Sequence, residues 1–364
     1  MKRTIRKHIL RPLMLLVIAG LAGGYGLHAA TAAKQHAGER YAYHSARFTE
    51  LLNESNQVVC KPGESHNFYR WMDRAYQSSH ARLPGKASLS LEAALRAERH
   101  GLRRIADRAR RTEAEVALAA SLHQLVKTII PKFSLERGFE FCNVIEGGER
   151  QCLLQSVLIA SLLQDAGVDA GTVMVYRNPK GEESNNGHVV VLMKLPNGRD
   201  LLVDASDKEP FVRHQGLFAR AGGYRYVKPV YVPDSDEIAS YQATADNAKI
   251  ETARVRPLDF AFVRSQFWYY RGERVEGGLL SAKKTQAGLE AAARYLRTSV
   301  KVCPENPLAV YMLGRVHWSQ GRAEQARKQF NAADALYSRF GWIPEGPQEY
   351  RALANRPIVE GARR

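Results

Sequence analysis

Three residues of this chain have the types, order and spacing that covalent acyl transfer requires. Cys152 opens an apolar helical stretch, His188 opens a Val-rich strand 36 residues later, and Asp204 closes the next strand after a further 16. Attack on a carbonyl needs a nucleophile, a base to take its proton and a group that holds the base in one tautomer. A thiol at the first turn of a helix also feels the positive end of the helix dipole, and a neighbouring imidazolium favours its thiolate. The backbone N–H of Cys152, preceded by Gln151, is then the expected oxyanion donor. Taken singly, each residue has a plainer reading: a small buried hydrophobe, a core or surface histidine, and a turn aspartate in Asp204-Ala205-Ser206-Asp207. Their joint order and setting point to chemistry. No cysteine or histidine spacing suits zinc, so neither a metal nor another cofactor is expected.

The elements that must position these residues are readable around them. Leu153 to Ala166 is apolar nearly all round and is followed by Gly167, as befits a core helix with a glycine C-cap. Strands are expected at 172–176, 188–195, 200–204 and 224–232. Ahead of them, Ser90 caps a helix reaching about Arg111, and Thr112-Glu113-Ala114-Glu115 opens another that continues to Pro131. Helices followed by a meander of strands predict an α+β domain, with the Cys152 helix packed on an antiparallel sheet. Register constrains the site. A two-residue turn at Asn197-Gly198 would set Asp204 opposite Val191, on the sheet face away from His188. The three residues meet only if the connection is three residues long or bulged, which Pro196 favours.

Glu149-Arg150-Gln151-Cys152 with its apolar helix, Asp165-Ala166-Gly167-Val168-Asp169-Ala170, His188 with its strand and Leu202-Val203-Asp204 carry a resemblance. Over residues 113 to 210 the chain resembles the transglutaminase-like cysteine-protein superfamily, a papain-like group with circularly reordered elements. The resemblance implies Cys152 as nucleophile, His188 as general base and Asp204 as its orienter, in a transglutaminase, peptidase or amidase. Some members of that family are inactive scaffolds. Arg150 and Val190 stand where the family often has glycine and an aromatic residue.

Further on, Ala292, Leu296, Ser299 and Pro304 are matched 34 residues later by Ala326, Phe330, Ala333 and Ser338, the period of a tetratricopeptide repeat. The expected organisation is an export segment (1–33), a mostly helical region (34–112), a transglutaminase-like domain (113–235), an all-α tetratricopeptide-like region (255–342) and a tail (343–364).

Lys2, Arg3, Arg6, Lys7 and Arg11 precede 22 residues without Lys, Arg, Asp or Glu, from Pro12 to Ala33. That pattern fits a signal peptide cleaved near Ala30-Thr31-Ala32, or an uncleaved anchor, with the bulk of the chain exported to a bacterial periplasm. Four cysteines, Cys60, Cys142, Cys152 and Cys303, then lie in an oxidising compartment, where a Cys142–Cys152 bridge would block the nucleophile. The formal charge of +16 favours anionic surroundings. The basic run Arg96 to Arg111 has no interleaved aromatic platform, so no nucleic-acid partner is expected; it reads as a solvated helix face or a contact for the anionic cell envelope. Two functions follow as expectations. One is an exported enzyme that hydrolyses or transfers an amide acyl group through a Cys152 thioester. The other is an inactive scaffold that binds a protein or peptide partner through its helical repeats.

Overall fold

Strands β3 (Ala170–Arg177), β4 (Glu183–Lys194) and β5 (Asp200–Val203) carry apolar residues on both faces, and that double burial sets the architecture. Val173, Val175, Val190, Leu192 and Leu202 share one cluster with Leu217, Val227, Ile238 and Tyr241. Val189, Val191, Met193, Leu201 and Val203 alternate with them and join the cluster made with the helices. In the computed structural model, which describes residues 40–59 and 67–355, the strands form an antiparallel sheet that closes on itself. After β5 come β6 (Gly216–Arg220), β7 (Tyr224–Tyr231) and β8 (Ile238–Ala243), in the order β5-β4-β3-β6-β7-β8. β8 then returns to pair with β5 at Asp200↔Ile238. β9 (Lys249–Glu251) extends the sheet beyond β8. The export segment, the Cys60-Lys61-Pro62-Gly63 turn and the end of the tail lie outside the described residues.

This corrects the expected α+β fold of a helix packed on an antiparallel sheet: the structure has a closed six-stranded antiparallel barrel. The physical reason is the second apolar face. One face of β3, β4 and β5 is covered by helices, so the other must be covered by the sheet itself, and rolling up achieves this. Register shifts at Val175/Arg177 and Val230/Tyr231 mark the bulges that help the strands bend.

An ion pair sits beside the closure. Lys194 Nζ lies 2.6 Å from Asp200 Oδ1 and bonds the Val255 carbonyl at 2.8 Å, while the Tyr241 hydroxyl donates to Asp200 at 2.7 Å. Burial pushes the Asp200 carboxyl up to about 6 against the pull of Lys194, and burial lowers Lys194 in turn. Lys194→Met strands a buried carboxylate and is expected to cost about 3–5 kcal/mol in urea denaturation at pH 7. The loss should be smaller at pH 5, where Asp200 can be protonated.

Helices α1 (Ala46–Val59), α2 (Phe68–Ser78), α3 (Leu91–Arg104), α4 (Arg108–Ile129) and the short α5 (Phe141–Gly147) precede the barrel. Two helices are expected from Ser90 onward and two are found, but the break falls at Ile105 to Asp107 and not between Arg111 and Thr112. Ile105 is extended, and the Asp107 side chain caps a new helix by accepting from Arg110 N at 2.8 Å. The basic run therefore turns a corner, and three of its arginines have acidic partners: Arg96 with Glu92, Arg99 with Asp165 and Arg111 with Glu115.

After the barrel, α7 (Phe260–Arg274), α8 (Gln286–Val302), α9 (Pro307–Ser319), α10 (Ala323–Phe340) and α11 (Glu345–Ala354) pack each against the next. Two glycines set the closest approaches. A Cβ at Gly272 would meet Leu296 at 2.6 Å, and one at Gly314 would meet the Phe330 ring at 2.7 Å. Leu296 and Phe330 are the pair related by the 34-residue spacing. Each large side chain thus packs on a glycine of the preceding helix. No helix among the described residues is long and apolar enough to cross a membrane.

Candidate active site

Cys152 is the first residue of α6 (Cys152–Asp165), whose side chains from Leu153 to Gln164 are all buried. Gln151 is the N-cap and accepts from Leu153 N at 3.1 Å. The approach to the helix is held by a short parallel pairing of β1 (Lys132–Phe133) with β2 (Glu149–Arg150). Gly138 lies against it so closely that a Cβ there would sit 2.3 Å from the Arg150 carbonyl. One turn beyond the cysteine, the Ser156 hydroxyl donates to the Val189 carbonyl at 2.8 Å. That bond pins α6 to β4 beside His188 and sets the thiol against the imidazole.

His188 and Asp204 meet because of the connection between β4 and β5. Lys194 pairs with Asp200 and Val191 with Val203, and Leu195 N bonds the Arg199 carbonyl at 2.8 Å. The loop is thus three residues, Pro196-Asn197-Gly198, with Gly198 at φ 86° supplying the left-handed turn position. This register sets Asp204 opposite Val190 rather than Val191, on the same face as His188. His188 Nε2 lies 3.0 and 2.9 Å from the two Asp204 oxygens. Its ring also acts on the Cys152 thiol electrostatically, and with Nε2 facing the carboxylate, Nδ1 is the ring nitrogen left for sulfur. The structure therefore brings together all three residues singled out in the sequence.

Charge is distributed as the geometry requires. Burial pushes the Cys152 thiol up, but the hydrogen bond and charge of His188, the Val189 N–H and the Tyr270 hydroxyl together leave it below its ordinary value. Burial lowers His188, and bonds to Asp204 and Cys152 reverse this and raise it to about 10. Burial also works against the Asp204 carboxylate, yet bonds from His188, His214 and Ser206 N hold its carboxyl well below the usual range. Both shifts favour the thiolate–imidazolium pair relative to the same two groups apart. Cys142, Cys152 and Cys303 are free thiols, so no bridge blocks the sulfur.

Two side chains at the site carried no signal in the sequence. His214, in the loop between β5 and β6, places Nε2 2.9 Å from Asp204 Oδ2. Tyr270, on α7, places its hydroxyl 4.0 Å from Cys152 Sγ, and Phe139 stacks on its ring at 5.5 Å between centroids. Neither belongs to a motif, and both arrive through tertiary packing from outside the Cys-His-Asp segment. His188, Asp204 and His214 also have donor atoms within 4.8 Å of one another, the one such group among the described residues that could hold a cation. A metal-bound imidazole ordinarily gives its other N–H to an acceptor. The buried His214 Nδ1 finds no protein partner, and both Nε2 atoms are in direct hydrogen-bond contact with the carboxylate, so the group fits a hydrogen-bonded network better than a metal centre. No protein-family model matches the chain, and no curated protein matches it.

Proposed function

We propose that this chain is an exported cysteine enzyme that cleaves or transfers the acyl group of a protein or peptide amide through a thioester on Cys152. One observation carries the reading: a single imidazole, His188, is hydrogen-bonded to the Asp204 carboxylate and lowers the Cys152 thiol by its interaction with it. In the first half-reaction the thiolate adds to the amide carbonyl carbon, and the resulting oxyanion lies near the Cys152 backbone N–H at the helix start. The His188 imidazolium gives its proton to the leaving nitrogen as the C–N bond breaks, leaving a thioester and a free amine. In the second, His188 takes a proton from water or an incoming amine as that group attacks the thioester. Collapse releases an acid or a new amide and restores the thiolate. The likeness of Glu149 to Cys152, His188 and Leu202 to Asp204 to transglutaminase-like proteins supports the same roles, and the cationic start with its uncharged run supports export.

The test is covalent. An activated acyl ester incubated with the protein at pH 7 is expected to leave one acyl group on the peptide containing Cys152, released by hydroxylamine, and Cys152→Ala should abolish it. No adduct on the wild type, or an adduct of equal yield on the variant, would refute the proposal.

A further inference from the structure

We propose that His214 is a positioning residue of this site, fixing the Asp204 carboxylate in the plane from which it holds His188; the inference rests on the acyl-transfer reading above. Asp204 lies just past the end of β5, at the start of the loop that returns to β6, and so is not held by the barrel ladder. Its carboxylate is clamped at both oxygens. Oδ1 accepts from Ser206 N at 2.8 Å, a neighbour in the same loop, while Oδ2 accepts from His214 Nε2 at 2.9 Å. His188 Nε2 sits astride the two oxygens. Without His214, the remaining clamp would move with the loop.

His214 is itself tied to the barrel. The Tyr231 hydroxyl of β7 donates to the His214 carbonyl at 2.7 Å, and Gln215 N bonds the Arg177 carbonyl of β3 at 3.1 Å. The imidazole thus links Asp204 to β7 and to β3, the neighbour of the strand that carries His188. Its orientation follows from its partner: a carboxylate only accepts, so Nε2 carries a proton. Its Nδ1 is buried and without a protein partner, a cost that apolar filler at this position would avoid. The bond to Asp204 is what histidine supplies there and a hydrocarbon cannot. The other charged or titratable groups facing Asp204 are His123 and Lys127 of α4, which contact the Asp207 carbonyl in the same loop.

The experiment is the pH profile of iodoacetamide alkylation at Cys152 in the full chain, for the wild type, His188→Ala, His214→Ala and His214→Gln, with circular dichroism confirming each fold. A glutamine amide can donate to Oδ2 from similar reach. His214→Ala should slow alkylation at pH 7 about 3- to 10-fold and move the profile toward that of an ordinary thiol, and His214→Gln should restore most of the rate. A role in stability alone would lower the melting temperature and leave the profile in place. A wild-type profile well below that of an ordinary thiol and sensitive to His188→Ala, with His214→Ala superimposed on wild type, overturns the role of His214 and leaves the enzyme reading standing. An ordinary wild-type profile that His188→Ala does not change overturns both.

Discussion

Asp204→Asn is expected to slow acylation of Cys152 by roughly 10²- to 10⁴-fold at pH 7, although the side chain keeps its shape. Every partner of the carboxylate is a donor: Ser206 N, His188 Nε2 and His214 Nε2. An amide offers one acceptor and one donor, so at least one of those bonds becomes donor against donor. His188 then loses the group that raises it and fixes its tautomer, and its Nδ1 faces the thiol already protonated. The same substitution carries a stability signature. Because the Asp204 carboxyl titrates well below its unfolded value of 3.8, its contribution is complete above that pH and is lost as pH falls through the folded value. The stability gap between wild type and variant should therefore be flat around pH 5 and shrink below about pH 4 in urea titrations.

How far the sequence led is clearest at this pair. The Asn197-Gly198 signal taken alone favours a two-residue turn that would separate Asp204 from His188. Pro196 shifts the start of the turn, Gly198 takes the left-handed position, and the three-residue loop restores a common face. The constraint was readable, and so was the helix bearing Cys152, because a long apolar run with a glycine stop leaves few alternatives. The barrel was not. Strands buried on both faces lose the alternation that marks an open sheet, and β8 is a short polar-apolar strand beyond the last strong apolar run. The break between α3 and α4 was expected about five residues too late because Asp107 sits inside an otherwise helical pattern, and only its cap bond to Arg110 N shows that the second helix starts there. His214 has no periodicity to reveal it. Its contribution depends on where a loop folds back, which local patterns do not encode.

His188→Ala is the second substitution with a large expected effect, about 10³-fold or more on acyl transfer, because the residue acts twice. As a partner it sustains the thiolate; as an acid it delivers the proton to the leaving nitrogen. The folded His188 is raised to about 10 from 6.5, so its stabilising contribution is complete below about pH 6.5 and disappears as pH rises through 10. The Cys152 thiol moves the other way, down from 9.0, so the thiolate is favoured in the folded chain and is lost as pH falls through its folded value. Between those limits the pair is charged. Removing the imidazole leaves a partly buried thiol whose burial now acts unopposed by that partner, and an ordinary thiol is only about 3% ionised at pH 7.

The central claim is that Cys152 is a thiolate held by His188, and the rate of Cys152 carbamidomethylation by iodoacetamide between pH 4 and 10 tests it most directly. A wild-type midpoint well below 8.5 that moves to 8.5 or above in His188→Ala is the predicted result. A wild-type midpoint at or above 8.5 that His188→Ala leaves unchanged would contradict it.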